Sequence, residues 1–421
     1  MIELEDGKFR LYHADCMDAL QEIDEKSVAS VVCDPPYEIG FQAKSWDRSG
    51  IAFDVEMWKM VYRVIKPGGY LAAFGFPRMY HRVAVAIEDA GFEIRDSLHW
   101  IYGLSFPKSE NVSKELIDKY KKIEEDEKKS SKQRESIVEL LELIGVNEQG
   151  KSIGDKSINT ERQIERYEHL SEKFDGWGTA LKNCHEPIIL ARRPMIDTLA
   201  GNYYEYETGG LNIGECKIGE NVVTINTWDD GARPFGGEAG GSYSSRDVKG
   251  KWPSNLMFSH HEKCKEIKPG VFNCYRDCRV LSLYFEHKDA IEYYNCFKYE
   301  PKAGRSEKEI GCEGLETKSA ADMTGRKEGS AGLKHPRAGA SPKDGAKNSH
   351  ATVKPIAIMA WLIRLLTPKD GITMDHFMGS GTSGMAAHQE GCKYIGIEKE
   401  EESFEIAKSR IDHATKQRRI F

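Results

Sequence analysis

Apolar residues along the chain fall into two rhythms. Short, nearly continuous apolar runs rich in β-branched residues mark strands buried on both faces. They occur at 27–33 (SVASVVC), 70–75 (YLAAFG), 185–191 (HEPIILA), 371–377 (GITMDHF) and 393–398 (KYIGIE). Two further strands are expected, over 8–16 ending at Asp15 and near 93–101. Between these runs, apolar positions recur at helical spacing. That predicts helices at about 17–24, 54–65, 78–90, 382–391 and 401–413, and one over VKPIAIMAWLIRLLTP started near Pro355. Gly91 and Gly391 suit C-caps, and Lys66-Pro67-Gly68-Gly69 reads as a tight turn. Strands alternating with helices imply an α/β fold, a mainly parallel sheet with helices on both faces.

The rhythm breaks twice. Residues 113–172 are rich in Lys, Glu, Asp, Ser and Gln, with an amphipathic helical stretch at ESIVELLELIG (135–145). Residues 200–350 are rich in Gly, Ser and Asn and read as loops. The last part carries recurrent cations, Lys318, Arg326, Lys327, Lys334, Arg337, Lys343 and Lys347, which suit a phosphate backbone as well as a solvated loop. The chain divides accordingly into 1–112, a charged helical insertion at 113–172, a core strand region at 173–200, a loop-rich region at 201–349, and a final unit at 350–421.

Composition adjusts this picture little. In 421 residues, 39% are hydrophobic and 30% charged, enough for a sizeable core beneath a charged surface. The net charge of −7 counts weakly against a protein that coats nucleic acid nonspecifically and says little about one with a local basic face. No apolar run approaches the roughly 20 residues that cross a bilayer. The first residues lack the pattern of a signal peptide, and ten scattered cysteines suit a reducing compartment, so a cytoplasmic location is expected. His260, His261, Cys264, Cys274 and Cys278 lie close together, but not at a clean zinc spacing, and no metal is expected.

Two motifs carry chemistry. The first is strand, Phe377-Met378-Gly379-Ser380-Gly381, helix, strand, Glu398. Glycines let a ligand approach the backbone, and an acid about 20 residues on can accept both hydroxyl hydrogen bonds of a ribose, which is the layout of a nucleoside-cofactor site. The second is Asp34-Pro35-Pro36-Tyr37, directly after a buried strand. The prolines stop the ladder and stiffen the backbone. The Asp34 carboxylate and a neighbouring carbonyl form two preorganised acceptors, suited to an NH2 group, and Tyr37 offers a face on which a base can stack.

Together these motifs resemble those of the DNA amino-methyltransferases. The order, with the Asp34 motif several hundred residues ahead of the Gly-rich loop, is similar to the permuted β-class. Further segments, 46–82, FPKSENV (106–112), GWGTALKNCHEPIILARRP (176–194), KWPSNLMF (251–258), YEPKAGRSEKE (299–309) and HATVKP (350–355), resemble phage and prophage site-specific DNA methylases. The resemblance implies a Rossmann-like core dependent on S-adenosylmethionine, assembled from both ends of the chain, with residues 201–349 recognising the target. It implies that Phe377, Gly379, Ser380, Gly381, Thr382 and Asp375 line the cofactor pocket. Glu398 would hold the ribose and Asp15 would sit near the adenine. Thr352, Lys354 and Pro355 would form a helix start beside the methionine end. Asp34, Pro35, Pro36 and Tyr37 would bind the target base, flipped out of double-stranded DNA. Two positions depart from the pattern, His376 and Ala351, each where the family carries proline. The implied reaction is methylation of adenine N6. Cytosine N4 is the alternative, which Ser at position 34 would favour. An RNA or protein methyltransferase and an inactive DNA-binding module are more distant readings. No cysteine follows a proline, so the cysteine chemistry of C5-cytosine enzymes is not expected. β-class relatives are often dimers, which implies a homodimer, and no obligatory protein partner is evident.

Overall fold

The computed structural model describes residues 1–40, 45–102, 109–143, 154–228, 243–259, 264–268, 271–273, 295–297, 305–324, 345–350 and 352–417. Of the His/Cys cluster only Cys264 is among them, and it is buried. Arg326, Lys327, Lys334, Arg337 and Lys343 also lie outside the described residues. The chain forms two compact units, Met1–Gly103 with His185–Phe421, and Leu104–Cys184.

The larger unit is built on a ten-stranded sheet. In chain order the strands are β1 (Ile2–Leu4), β2 (Phe9–His13), β3 (Val28–Cys33), β4 (Ile65–Phe74), β5 (Glu93–Tyr102), β6 (His185–Arg192), β7 (Ile218–Trp228), β8 (Tyr243–Lys251), β9 (Leu256–Ser259), β10 (Lys265–Lys268), β11 (Val271–Asn273), β12 (Asn295–Phe297), β13 (Ile372–Asp375) and β14 (Lys393–Glu398). The sheet order is β1-β2-β14-β13-β3-β4-β6-β5-β9-β12, while β7–β8 and β10–β11 pair separately. Every described pairing in the large sheet is parallel except β1 with β2 and β6 with its two neighbours. The mainly parallel sheet expected from the alternating pattern is therefore present.

Alternation along the strands explains the layers. In β4, Tyr70, Ala72 and Phe74 point into one apolar cluster while Leu71 and Ala73 point into the other. In β6, Ile188 and Leu190 take the first side and Ile189 and Ala191 the second. Helices Cys16–Glu22, Val55–Val64 and Tyr80–Asp89 cover one face, contributing Leu20, Trp58, Val61 and Ile87. Helices Ile356–Leu366, Thr382–Gln389 and Glu401–Lys416 cover the other, contributing Trp361, Leu362, Met385 and Phe404. Burying each such aliphatic or aromatic side chain contributes about 1.5–3 kcal/mol. One face is thus covered by helices from the start of the chain and the other by helices from its end.

One local expectation fails. Lys66-Pro67-Gly68-Gly69 is not a separate turn but part of β4. Val28 pairs with Ile65 and Ser30 with Tyr70, so β4 bulges across these residues and regains register without leaving the sheet.

In the smaller unit, helices Val112–Leu143 and Gly154–Lys173 pack on each other. Its ends are tied by an isolated bridge between Asn111 and Gly178.

Candidate active site

The parallel strands β2, β14, β13, β3 and β4 all deliver their carboxyl ends to the same edge of the sheet. In open α/β sheets that edge is where ligands bind. A cavity of about 440 Å³ opens there, within the usual range for small-molecule sites. Its lining includes Asp15, Asp34, Pro36, Thr352, Lys354, Asp375, Phe377, Gly379, Ser380, Thr382 and Glu398 from the residues expected at the site. Ser49, Ile51, His350, Ser383 and Ser403 line it as well. Pro35, Tyr37, Pro355 and Gly381 are not among the lining residues.

The Gly-rich turn follows β13. Gly381, at φ 79°, precedes the helix Thr382–Gln389. A Cβ there would lie 2.9 Å from Ala407 Cα, so both conformation and space demand glycine. Gly379, at φ 54°, faces the His350 ring, which a Cβ would approach to 3.0 Å. Arg410 is fully buried and braces this turn by donating to the Ser380 carbonyl at 2.6 Å and to Thr382 Oγ1 at 3.1 Å. Its other arm donates to the Glu307 carbonyl at 3.3 Å. The Glu307 carboxylate accepts from Ile356 N at 2.7 Å and so caps the helix behind Pro355.

Around the turn, the carboxylates are held largely by backbone. Glu398 accepts from Gly379 N through one oxygen and from Glu400 N through the other, each at 2.8 Å. Burial raises its pKa above the ordinary value despite these bonds. Asp375 accepts from Phe377 N at 3.0 Å and from the Ser383 hydroxyl at 2.6 Å. Its burial pushes the carboxyl up to about 7. Asp15 caps its helix through Met17 N at 3.0 Å and pairs with Lys399 at 2.9 Å. Burial works against ionisation of Asp15, but these two donors outweigh it and hold its pKa below the ordinary value.

Asp34 is held differently. One oxygen pairs with Lys354 Nζ, and the other, Oδ1, is buried without a hydrogen-bond partner among the described residues. Lys354 Nζ also lies 3.1 Å from Tyr37 Oη and 3.5 Å from Glu186 Oε2. Tyr37 donates to Glu186 Oε2 at 2.9 Å. The ammonium stands 5.0 Å from the Phe74 ring centroid and 5.2 Å from that of Tyr37, within cation–π range. Burial alone would lower the Lys354 pKa, but the facing carboxylates of Asp34 and Glu186 raise it above the ordinary value. Burial and the same two carboxylates push the Tyr37 phenol well up. Glu186 is absent from the residues expected at the site. The strand character of 185–191 is plain, but its direction is not. Because β6 runs antiparallel to β4 and β5, its first residues lie at the edge where the parallel strands end.

Two histidines border the same cavity. His376 is 1% exposed, stands edge-on to Trp58 and has no partner for either ring nitrogen among the described residues. Burial pushes it down to about 3, so it is a neutral ring. His350, whose Nδ1 is likewise unpartnered, is pushed down to about 4 by burial.

A family described as DNA methylase, the N6_N4_Mtase family, matches residues 28–409, which span both motifs and the sheet between them. The chain belongs to this family. The N6_N4_Mtase family uses S-adenosylmethionine as methyl donor. The residues here fit such a ligand. Each Glu398 oxygen has one backbone partner and a further lone pair for a hydroxyl, Phe377 and Ile397 supply apolar walls, and the Gly379 backbone lies in the lining. Among individual relatives, Type II methyltransferase M2.MboI of Moraxella bovis is 39% identical over 69 residues, 16% of this chain and 25% of that protein. M2.LlaDCHI of Lactococcus lactis subsp. cremoris is 41% identical over 63 residues, 15% of this chain and 23% of the relative. The chain thus matches about a quarter of the length of these relatives. Among solved structures, the M1.HpyAVI–SAM complex aligns over 96% of this chain and 99% of its own at 14% identity and TM-score 0.36. The PvuII cytosine-N4-specific DNA methyltransferase aligns over 96% and 88% at 13% identity and TM-score 0.40.

Proposed function

We propose that this chain transfers a methyl group from S-adenosylmethionine to the exocyclic amine of a base flipped out of double-stranded DNA, adenine N6 being the target. The observation that carries the reading is the buried, unpartnered Oδ1 of Asp34 in a residue that lines the same cavity as Glu398, Phe377 and Gly379. A buried acceptor without a donor is costly and calls for a ligand N–H. An exocyclic amine brings two.

When bound, S-adenosylmethionine supplies an electrophilic methyl group on a sulfonium, and sulfur keeps the bonding pair. Asp34 Oδ1 accepts one N–H of the base amine, and the Pro35 carbonyl accepts the other. Two acceptors on one amine aim its lone pair at the methyl carbon, so positioning supplies most of the rate. The nitrogen becomes cationic as it gains the methyl, and Asp34 is the group beside it that takes up the extra proton. Glu398 would accept from the ribose, Asp15 would lie by the adenine end of the cofactor, and Tyr37 would border the flipped base. Residues 201–349 read the DNA sequence. The order of the Asp34 motif ahead of the Gly-rich turn supports the permuted β-class.

Single-molecule modification sequencing of a methylation-free host expressing the protein tests this reading. N6-methyladenine in one short motif is expected. N4-methylcytosine would keep the mechanism and change the base, and unmodified DNA beside folded protein would overturn the reading. Asp34→Ala should cost at least about 100-fold in kcat, by analogy with loss of one preorganised polar group at other active sites. Its affinity for S-adenosylmethionine, read by calorimetry, should stay within about twofold, because no cofactor-side bond on Glu398 or Asp375 involves Asp34.

A further inference from the structure

Lys354 offers three N–H donors. Three acceptors surround it, Asp34 Oδ2, Tyr37 Oη at 3.1 Å and Glu186 Oε2 at 3.5 Å. Tyr37 donates its hydroxyl hydrogen bond to Glu186 Oε2 at 2.9 Å, so the phenol and the ammonium share one carboxylate oxygen. The other oxygen, Oε1, lies 3.5 Å from the Tyr102 hydroxyl at the end of β5. Glu186 therefore closes the cluster, through the tyrosine hydrogen bond and an ion pair to the lysine, and among the described residues Asp34 Oδ1 is left without a donor.

We propose that Glu186 is a positioning residue for methyl transfer, which by engaging Lys354 and Tyr37 keeps Asp34 Oδ1 available to the substrate amine. This rests on the reading of the site as an amino-methyltransferase centre and extends it to a residue on a strand outside both motifs. Two physical effects support it. The first is competition. Without Glu186, the Tyr37 hydroxyl loses its acceptor and the freed lysine donor has Asp34 as its remaining carboxylate, so Oδ1 is drawn from the substrate. The second is charge. Two carboxylates and one ammonium leave the cluster at −1, which favours the positive charge that develops on the amine nitrogen. With Glu186 gone the cluster is neutral, and the site is sheltered enough for that difference to count. The side chains of Lys354 and Glu186 are only 10% and 17% exposed.

The test uses the full-length protein, tritiated S-adenosylmethionine and unmethylated host genomic DNA. Glu186→Gln keeps the shape and an acceptor for Tyr37 but removes the charge, Glu186→Ala removes both, and Glu186→Asp is the conservative rescue. Hydrogen bonds to charged groups set the scale, so kcat should fall about 10- to 100-fold in Gln and further in Ala, with partial recovery in Asp. The affinity for S-adenosylmethionine should stay within about twofold. In the Gln variant the alkaline limb of the kcat profile should move to lower pH, because Lys354 has lost one of the two carboxylates that hold its proton. Gln and Ala variants within about twofold of wild-type kcat would overturn the proposal. So would activity lost only in step with cofactor affinity and melting temperature, which would make Glu186 a structural residue. A wild-type protein that places no methyl group in the DNA would instead sink the functional reading, and the inference with it.

Discussion

The two sides of the cavity are built on opposite plans. On the Glu398 side, the carboxylate is fixed by backbone N–H groups of Gly379 and Glu400, and Asp375 by Phe377 N and the nearby Ser383. All but Glu400, which follows β14 directly, lie within one β13–turn–helix–β14 unit. On the Asp34 side, the carboxylate is held by the side chain of Lys354, which enters from the helix start and is itself engaged by Glu186 from β6. Backbone-held groups are as rigid as the turn that carries them. Side-chain-held groups can be tuned one residue at a time. The difference suits a common cofactor facing a substrate that must be distinguished.

Three substitutions would break or sharpen this contrast. The largest effect is expected from Gly381→Ala. It forces a side chain to φ 79° and against Ala407, so strain and overpacking together should cost about 3–5 kcal/mol in denaturant melts, with cofactor binding lost in calorimetry. If the Glu398 side is truly backbone-built, no second-site side-chain change should restore it cheaply. Next is Lys354→Met, which leaves two carboxylates facing each other without their cation. Breaking fully buried pairs costs more, but both acids keep some exposure, so about 2 kcal/mol is expected, with cofactor affinity little changed. A loss of cofactor affinity as large as that of Gly381→Ala would erase the distinction between the two sides. The smallest effect is a slope. Burial raises Asp375 to about 7 in the folded protein, against 3.8 for the free side chain. Across that window the folded state holds the proton that the unfolded chain has released, so stability should fall as pH rises from about 4 to 7 and level off above. Asp375→Asn cannot titrate, and its melting temperature should vary less over the same range. An unchanged slope would show that Asp375 is not what sets it.

The contrast also explains what could be read from the sequence. The layered sheet follows from the alternating apolar runs, and β14 falls on 393–398 as its pattern requires. The Gly-rich turn with Glu398 behind it is a local pattern, since the turn and its acid sit on adjacent strands of one unit. Asp34 is legible because two prolines announce the strand end. Glu186 is not, because its role depends on the direction of β6, and an apolar run looks the same in either direction. Lys354 is legible as part of a helix start but not as the partner of Asp34, a contact between positions that no spacing rule connects. The bulge at Lys66-Pro67-Gly68-Gly69 was hidden for a related reason. Its residues are those of a turn, and their place in the sheet depends on distant partners, with Gly68 N donating to the Arg193 carbonyl and Arg193 N to the Gly69 carbonyl, each at 2.9 Å.

The division of the helices between the sheet's two faces sets an order of events at the ribosome. The strands through β4 and the helices Cys16–Glu22 and Val55–Val64 are complete once Phe74 has been made, but the helices that cover the other face begin at Ile356. At about 5–20 residues per second, that face stays without them for roughly 15–55 seconds of synthesis. Through that interval, apolar side chains such as Val32, Tyr70 and Phe74 lack the C-terminal helices of their cluster, and β2 lacks its partner β14. The nascent chain is therefore exposed to aggregation in proportion to how slowly it is translated, and slow translation or a truncated message should leave insoluble fragments rather than a folded half.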